Sequence, residues 1–219
     1  MENTNKKSWR DVTINEYFNL TEKLQDEELN DYEKQVIKLA FATNKTEEQI
    51  WDLNIIEFRK LQVEALWMEE FKINENVKFD KIKINNSNYT IDTNLQNFTV
   101  AQYIDFQTFY PKLKSNPRLI GNILACFIVP SGKKYAEDYD IKELVDIIND
   151  HLDILTANEI MFFFLHSYLI SIRVTANYFN WMIQRLKKKA KNKEQVENLE
   201  EKWNQMKKDT LIGLRLLTK

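Results

Sequence analysis

Chemistry in a protein needs nucleophiles, bases, metal ligands or phosphate-cradling loops, and this chain holds few of each. It has one cysteine (Cys126), two histidines (His151 and His166) and three glycines (Gly121, Gly132 and Gly213). Ser131-Gly132-Lys133-Lys134 invites a phosphate-loop reading, but such a loop needs a glycine where Phe127 stands and a Ser or Thr where Lys134 stands. A polar turn after a proline-terminated helix fits better. His166 and Ser167 are neighbours on an apolar helix, so they point about 100° apart and do not pair as base and nucleophile. Asp150-His151-Leu152-Asp153 has no second histidine at helical spacing, and Glu137, Asp138 and Asp140 lack the glycine and spacing of a calcium loop. Neither a catalytic residue, a metal site nor a cofactor is expected.

Composition narrows the remaining classes. In 219 residues, 43% are hydrophobic and 29% charged, enough for a real core. Lysine and arginine number 31 against 33 acidic residues, for a net charge of −2. That balance excludes a disordered polyelectrolyte and a chain-wide nucleic-acid clamp. A single cysteine excludes a disulfide framework. Charge is nonetheless uneven. From Met182 to Lys219 there are eleven basic and five acidic residues, so this tail carries about +6 and the rest about −8. The run Arg185, Lys187, Lys188, Lys189, Lys191 and Lys193 could meet an anion or the DNA backbone, or cap a solvated helix end. No aromatics interleave its lysines as on a single-strand stacking platform. The first ten residues are polar, so no secretory signal is expected. The longest uncharged apolar stretch, 160–172, has 13 residues where a membrane span needs about 20.

The elements that must position these residues are read from capping boxes, a Ser, Thr, Asp or Asn followed three residues later by Glu or Gln. Thr13/Glu16 predicts a helix to about Leu24, and Asn30/Glu33 one carrying Val36, Ile37, Leu39, Ala40 and Phe41. Thr46/Gln49 predicts one turn holding Ile50 and Trp51. Asn54/Glu57 predicts a longer helix to about Phe71, with Phe58, Leu61, Ala65, Leu66 and Met68 as its stripe. Alternation in Lys81–Ile84 and Tyr89–Ile91, around Asn85-Asn86-Ser87-Asn88, predicts a two-stranded ribbon within 77–92. Thr99/Gln102, Asn116-Pro117, Asp140/Glu143 and Thr156/Glu159 predict further helices, the last of them the longest. Lys193–Leu217 reads as a final helix.

The run Thr46–Leu61, and the ribbon followed by Phe98–Phe106, resemble segments of small helical virion and assembly proteins of tailed bacteriophages. These include tail-assembly chaperone-like proteins and relatives in phages of gut Bacteroidetes. The resemblance spans about Thr46–Ile172 and rests on element style and order, with no catalytic or ligand motif. It implies a non-enzymatic part of a phage particle or its assembly: a neck or tail component, an internal cargo, or a chaperone. Partners would be other phage structural proteins, and the location the virion or host cytoplasm.

The expectation is therefore a mainly α protein: a flexible segment 1–12, a helical domain 13–182 with its small β-ribbon, and a basic helical arm 183–219. Docking rather than turnover is the expected mode, since Trp, Tyr and Met anchor interfaces. The expected interface residues are Tyr178, Phe179, Trp181, Met182, Trp203 and Met206, in a seam that also supports a homo-oligomer or ring. The alternative is an accessory DNA-binding protein using the basic run.

Overall fold

A computed structural model describes residues 8–74, 79–92 and 97–165, and the single positions 181, 185, 197, 201 and 204. The fold is mainly α with one small antiparallel sheet. In chain order the helices are α1 (Ile14–Leu24), α2 (Asp31–Thr43), α3 (Glu47–Trp51), α4 (Ile55–Glu64), α5 (Val100–Phe109), α6 (Ile120–Ala125) and α7 (Ile141–His151). Residues 154–165 form α8. The strands are β1 (Lys81–Ile84), β2 (Ser87–Ile91) and β3 (Ile128–Pro130), in the order β1-β2-β3.

Capping chemistry starts these helices where the sequence places it. Thr13, Asn30, Thr46 and Thr99 each accept from the third residue of their helix, whose Glu or Gln reaches back to the cap's own N–H. This reciprocal pair satisfies two donors that a helix start otherwise leaves bare. Asn44 ends α2 in the left-handed region with φ of 54°, a conformation asparagine tolerates. Asn85 and Asn86 have φ of 44° and 65°, the two positive values a tight primed hairpin demands.

Four elements differ from expectation. The α4 helix stops at Glu64 and passes through Ala65 into a 3-10 turn, Leu66–Glu69, instead of running to Phe71. The ribbon gains a third strand, because the chain leaving α6 pairs Ile128 with Ile91 and Val129 with Thr90. A three-residue strand inside a continuous apolar run carries no period of its own. The cap of α8 is Asp153, which accepts from the Thr156 N–H at 2.7 Å; Thr156 and Glu159 are buried and serve another purpose. Finally, residues 8–12, expected in a flexible segment, are built into the core. Trp9 is 7% exposed and Val12 fully buried. Backbone bonds from Ile14 N–H to Leu152 and from Ile154 N–H to Val12 sew this segment to the α7–α8 junction.

Two apolar clusters hold the fold. The larger joins α1, α5–α8 and the sheet around Phe106, Phe127 and Phe164, with Phe127 and Phe164 stacked at 4.4 Å. The smaller lies among α2, α3 and Ala65, with Val36, Leu39, Ala40, Ala42 and Ile50. Trp67 and Met68 pack against both clusters, so the turn after α4 is the hinge-pin between them.

Candidate interaction surface

Residues nominated as chemistry are committed to structure. Gly132 sits at φ 78° in a turn where Lys133 N–H bonds Pro130 O and Lys134 N–H bonds the Asp138 carboxylate. Glu137 pairs with Lys134, and Asp140 caps α7. His151 is the exposed last residue of α7; His166 lies outside the described residues. Cys126 is fully buried, and burial pushes its thiol up to about 12. Beside it, the Tyr135 hydroxyl donates to Asp105 at 2.8 Å, and burial raises that phenol as well. A thiol so held stays protonated at neutral pH, the opposite of an activated nucleophile. Among the described residues no three His, Cys, Asp or Glu side chains gather to hold a metal. Nor is any helix among them long and apolar enough to cross a membrane.

Of the expected interface, only Trp181 falls within the described residues. It is 54% exposed, and the Arg185 guanidinium lies over its ring at 5.2 Å. Tyr178, Phe179, Met182, Trp203 and Met206 lie outside the described residues, as do Lys187, Lys188, Lys189, Lys191 and Lys193.

The apolar surface that is described lies elsewhere, on α4. Phe58 and Leu61 turn inward onto the smaller cluster. At 100° per residue, Ile56 and Val63 fall on the opposite side, with Arg59 and Lys60 to either side of them and Ile55 at the edge of the face. All five are exposed, Ile55 at 63%, Ile56 at 66% and Val63 at 67%. Trp51 at the end of α3 and Leu66 just past α4 extend the patch at 58% and 59%. Leu66 was expected in the inward stripe; the change to a 3-10 turn rotates it out. Burying a Val or Ile side chain contributes about 1.5–3 kcal/mol, so the isolated chain leaves several kcal/mol unrealised here. Arg59 and Lys60 give the same face a positive rim.

A second uncovered face lies on α5, where Val100, Tyr103 and Ile104 are 77%, 49% and 56% exposed. Sequence reasoning missed both faces because it asked which residues form one inward stripe. The signal was present: Ile55, Ile56 and Val63 add a second apolar stripe on a helix that already has one. A cleft of about 740 Å³ opens between α1 and α2–α3. Across it Lys23 is paired to Glu47, and Glu16 and Thr46 on its walls are engaged in capping.

No protein-family model matches the chain, and no curated protein or solved structure is similar to it.

Proposed function

We propose that this chain is a non-enzymatic docking component of a tailed-phage particle or of its assembly, binding other structural proteins and further copies of itself. The observation that carries the reading is the outward face of α4. A helix whose inner side already holds a core has no folding reason to present Ile55, Ile56 and Val63 to water. Apolar patches of this kind, rimmed by charge, mark protein contacts. Arg59 and Lys60 select an acidic rim on the partner. The resemblance in element order supplies the phage context, with the virion or host cytoplasm as the location.

Mass spectrometry of purified particles, alongside light scattering of the isolated chain at high micromolar concentration, tests this. The reading expects the chain in particles or in isolable assembly intermediates, and self-association in solution. A strict monomer absent from both kinds of assembly would overturn it.

A further inference from the structure

One stretch of this chain avoids charge. Between Thr93 and Pro111 the single charged residue is Asp105, in a sequence of which 29% is charged. The α5 helix lies within this stretch, and Asp105 is half-buried there, accepting from the Tyr135 hydroxyl at 2.8 Å. The inner side of α5 is also committed. Phe106 is fully buried, and the Gln102 carboxamide donates to the Cys126 carbonyl at 2.9 Å. What α5 turns to solvent is Val100, Ala101, Tyr103, Ile104 and Thr108, and none of them is charged. A solvated helix face ordinarily carries charged and polar side chains. Even the Thr108 hydroxyl is engaged, donating to the Ile104 carbonyl one turn back at 2.8 Å.

Val100, Ile104 and Thr108 are spaced by four and form a single ridge. All three branch at Cβ, so the helix already restricts their rotamers and docking orders little more. Tyr103 stands on one flank of the ridge, 49% exposed, and is of a type that anchors interfaces. Ala101 on the other flank is small enough to admit a facing side chain. Ridges of this spacing interdigitate at about −50° when both helices contribute the same rows. Identical rows on both helices are what a two-fold axis supplies.

We propose that this face pairs with the same face of a second copy, giving a two-fold dimer in which the Ile104 side chains meet near the axis. Charge selects the occupant. A charged rim that docked on this face would be desolvated with nothing to pair it. The other uncovered face described, on α4, is of that kind, with exposed Arg59 and Lys60 on either side of Ile56 and Val63. Set against itself, the α5 ridge covers apolar groups on both sides and strands no charge. Pairing through one self-complementary patch is also the commonest closed arrangement of identical chains. This deepens the docking reading, on which it rests, by placing self-association on α5 and leaving the α4 face to a different partner.

Sedimentation equilibrium of the full chain, from low to high micromolar concentration, tests this, and a monomer–dimer equilibrium is expected. Ile104→Glu and Ile104→Lys should each weaken dimerisation at least tenfold, because like charges then meet across the axis. An equimolar mixture of the two should dimerise at least tenfold more tightly than either alone, since Glu then faces Lys. Ile104→Cys gives a reading independent of charge. Mild oxidation should join its copies through residue 104, Cys126 being buried, while Val63→Cys on α4 should stay unlinked. A native chain that is monomeric at high micromolar concentration would overturn the proposal. So would a dimer that neither charge weakens, or a mixture no tighter than its parents. The double variant Ile56→Glu/Val63→Glu should leave the dimerisation constant unchanged. A monomer still found in particles would sink this proposal and leave the docking reading standing, and a dimer absent from particles and assembly intermediates would do the reverse.

Discussion

Arg10 grips both carboxylate oxygens of Glu159, at 2.6 and 2.7 Å, across 149 positions of sequence. The Glu159 side chain is 1% exposed and that of Arg10 44%. Thr156 accepts from the same guanidinium, and the Asn74 N–H adds a bond to Glu159 at 3.2 Å. One fork thus fastens residues 8–12 and the chain after Phe71 to the first turns of α8. Arg10→Ala should destabilise by about 2 kcal/mol in urea unfolding, since it leaves a carboxylate buried without its cation. The half-exposed arginine keeps the cost below that of a fully buried pair. Replacing both, Arg10→Met with Glu159→Leu, should recover most of the loss; equal loss in the single and double variants would contradict this.

The α6–α7 contact depends on a missing side chain. A Cβ on Gly121 would overlap the Asn149 carboxamide, with even its Nδ2 at 2.9 Å. Gly121→Ala should therefore destabilise by about 1–3 kcal/mol through overpacking, despite alanine's better helix propensity. Adding Asn149→Ala should reverse most of this, because the Asn149 Oδ1 is buried without a partner and little is lost with it. Thermal unfolding of the two single variants and the double gives the coupling directly.

Burial raises the Cys126 thiol from 9.0 to about 12. The folded chain then keeps a proton that the unfolded chain releases above pH 9. Stability is full below that pH and falls as pH rises toward 12, by about 1.4 kcal/mol per pH unit at the steepest. Between pH 8 and pH 10 the loss should be about 1.4 kcal/mol, and Cys126→Ala should flatten that slope whatever it does to stability at pH 8. Tyr139, pushed up to about 12 from 10.0, joins only above pH 10. A slope unchanged by the substitution would refute the assignment.

Duplex DNA offers the alternative use of the basic run, and salt separates it from docking. Phosphate neutralisation gives binding that weakens steeply as salt rises. The docking account expects no duplex binding even at low salt and no effect of changing Arg185 and Lys187 to glutamine on particle incorporation.

Local chemistry made most helix starts legible. The Thr13, Asn30, Thr46 and Thr99 caps act over three residues, so sequence spacing alone carries them. What sequence could not carry were partners set by distant chain. Thr156 and Glu159 have the spacing of a capping box, yet Arg10 claims both side chains and Asp153 takes the cap. β3 exists because β2 offers it an edge, not because Ile128–Pro130 has strand periodicity. The expected interface residue that is described, Trp181, is exposed. The α4 face escaped notice because Ile55, Ile56 and Val63 look like ordinary core residues until Phe58 and Leu61 are seen to fill the inner side.

The central claim is that the outward face of α4 seats a partner. The most direct measurement is the amount of the chain in purified phage particles, or in their assembly intermediates, with Ile56→Glu/Val63→Glu in place of the native residues. Both positions are about two-thirds exposed, so unfolding temperature should stay within a few degrees of the unaltered chain. The account predicts at least a tenfold drop in incorporation, the scale expected when about 1.4 kcal/mol or more of interface energy is lost. A double variant that folds normally and incorporates at the native level would contradict it.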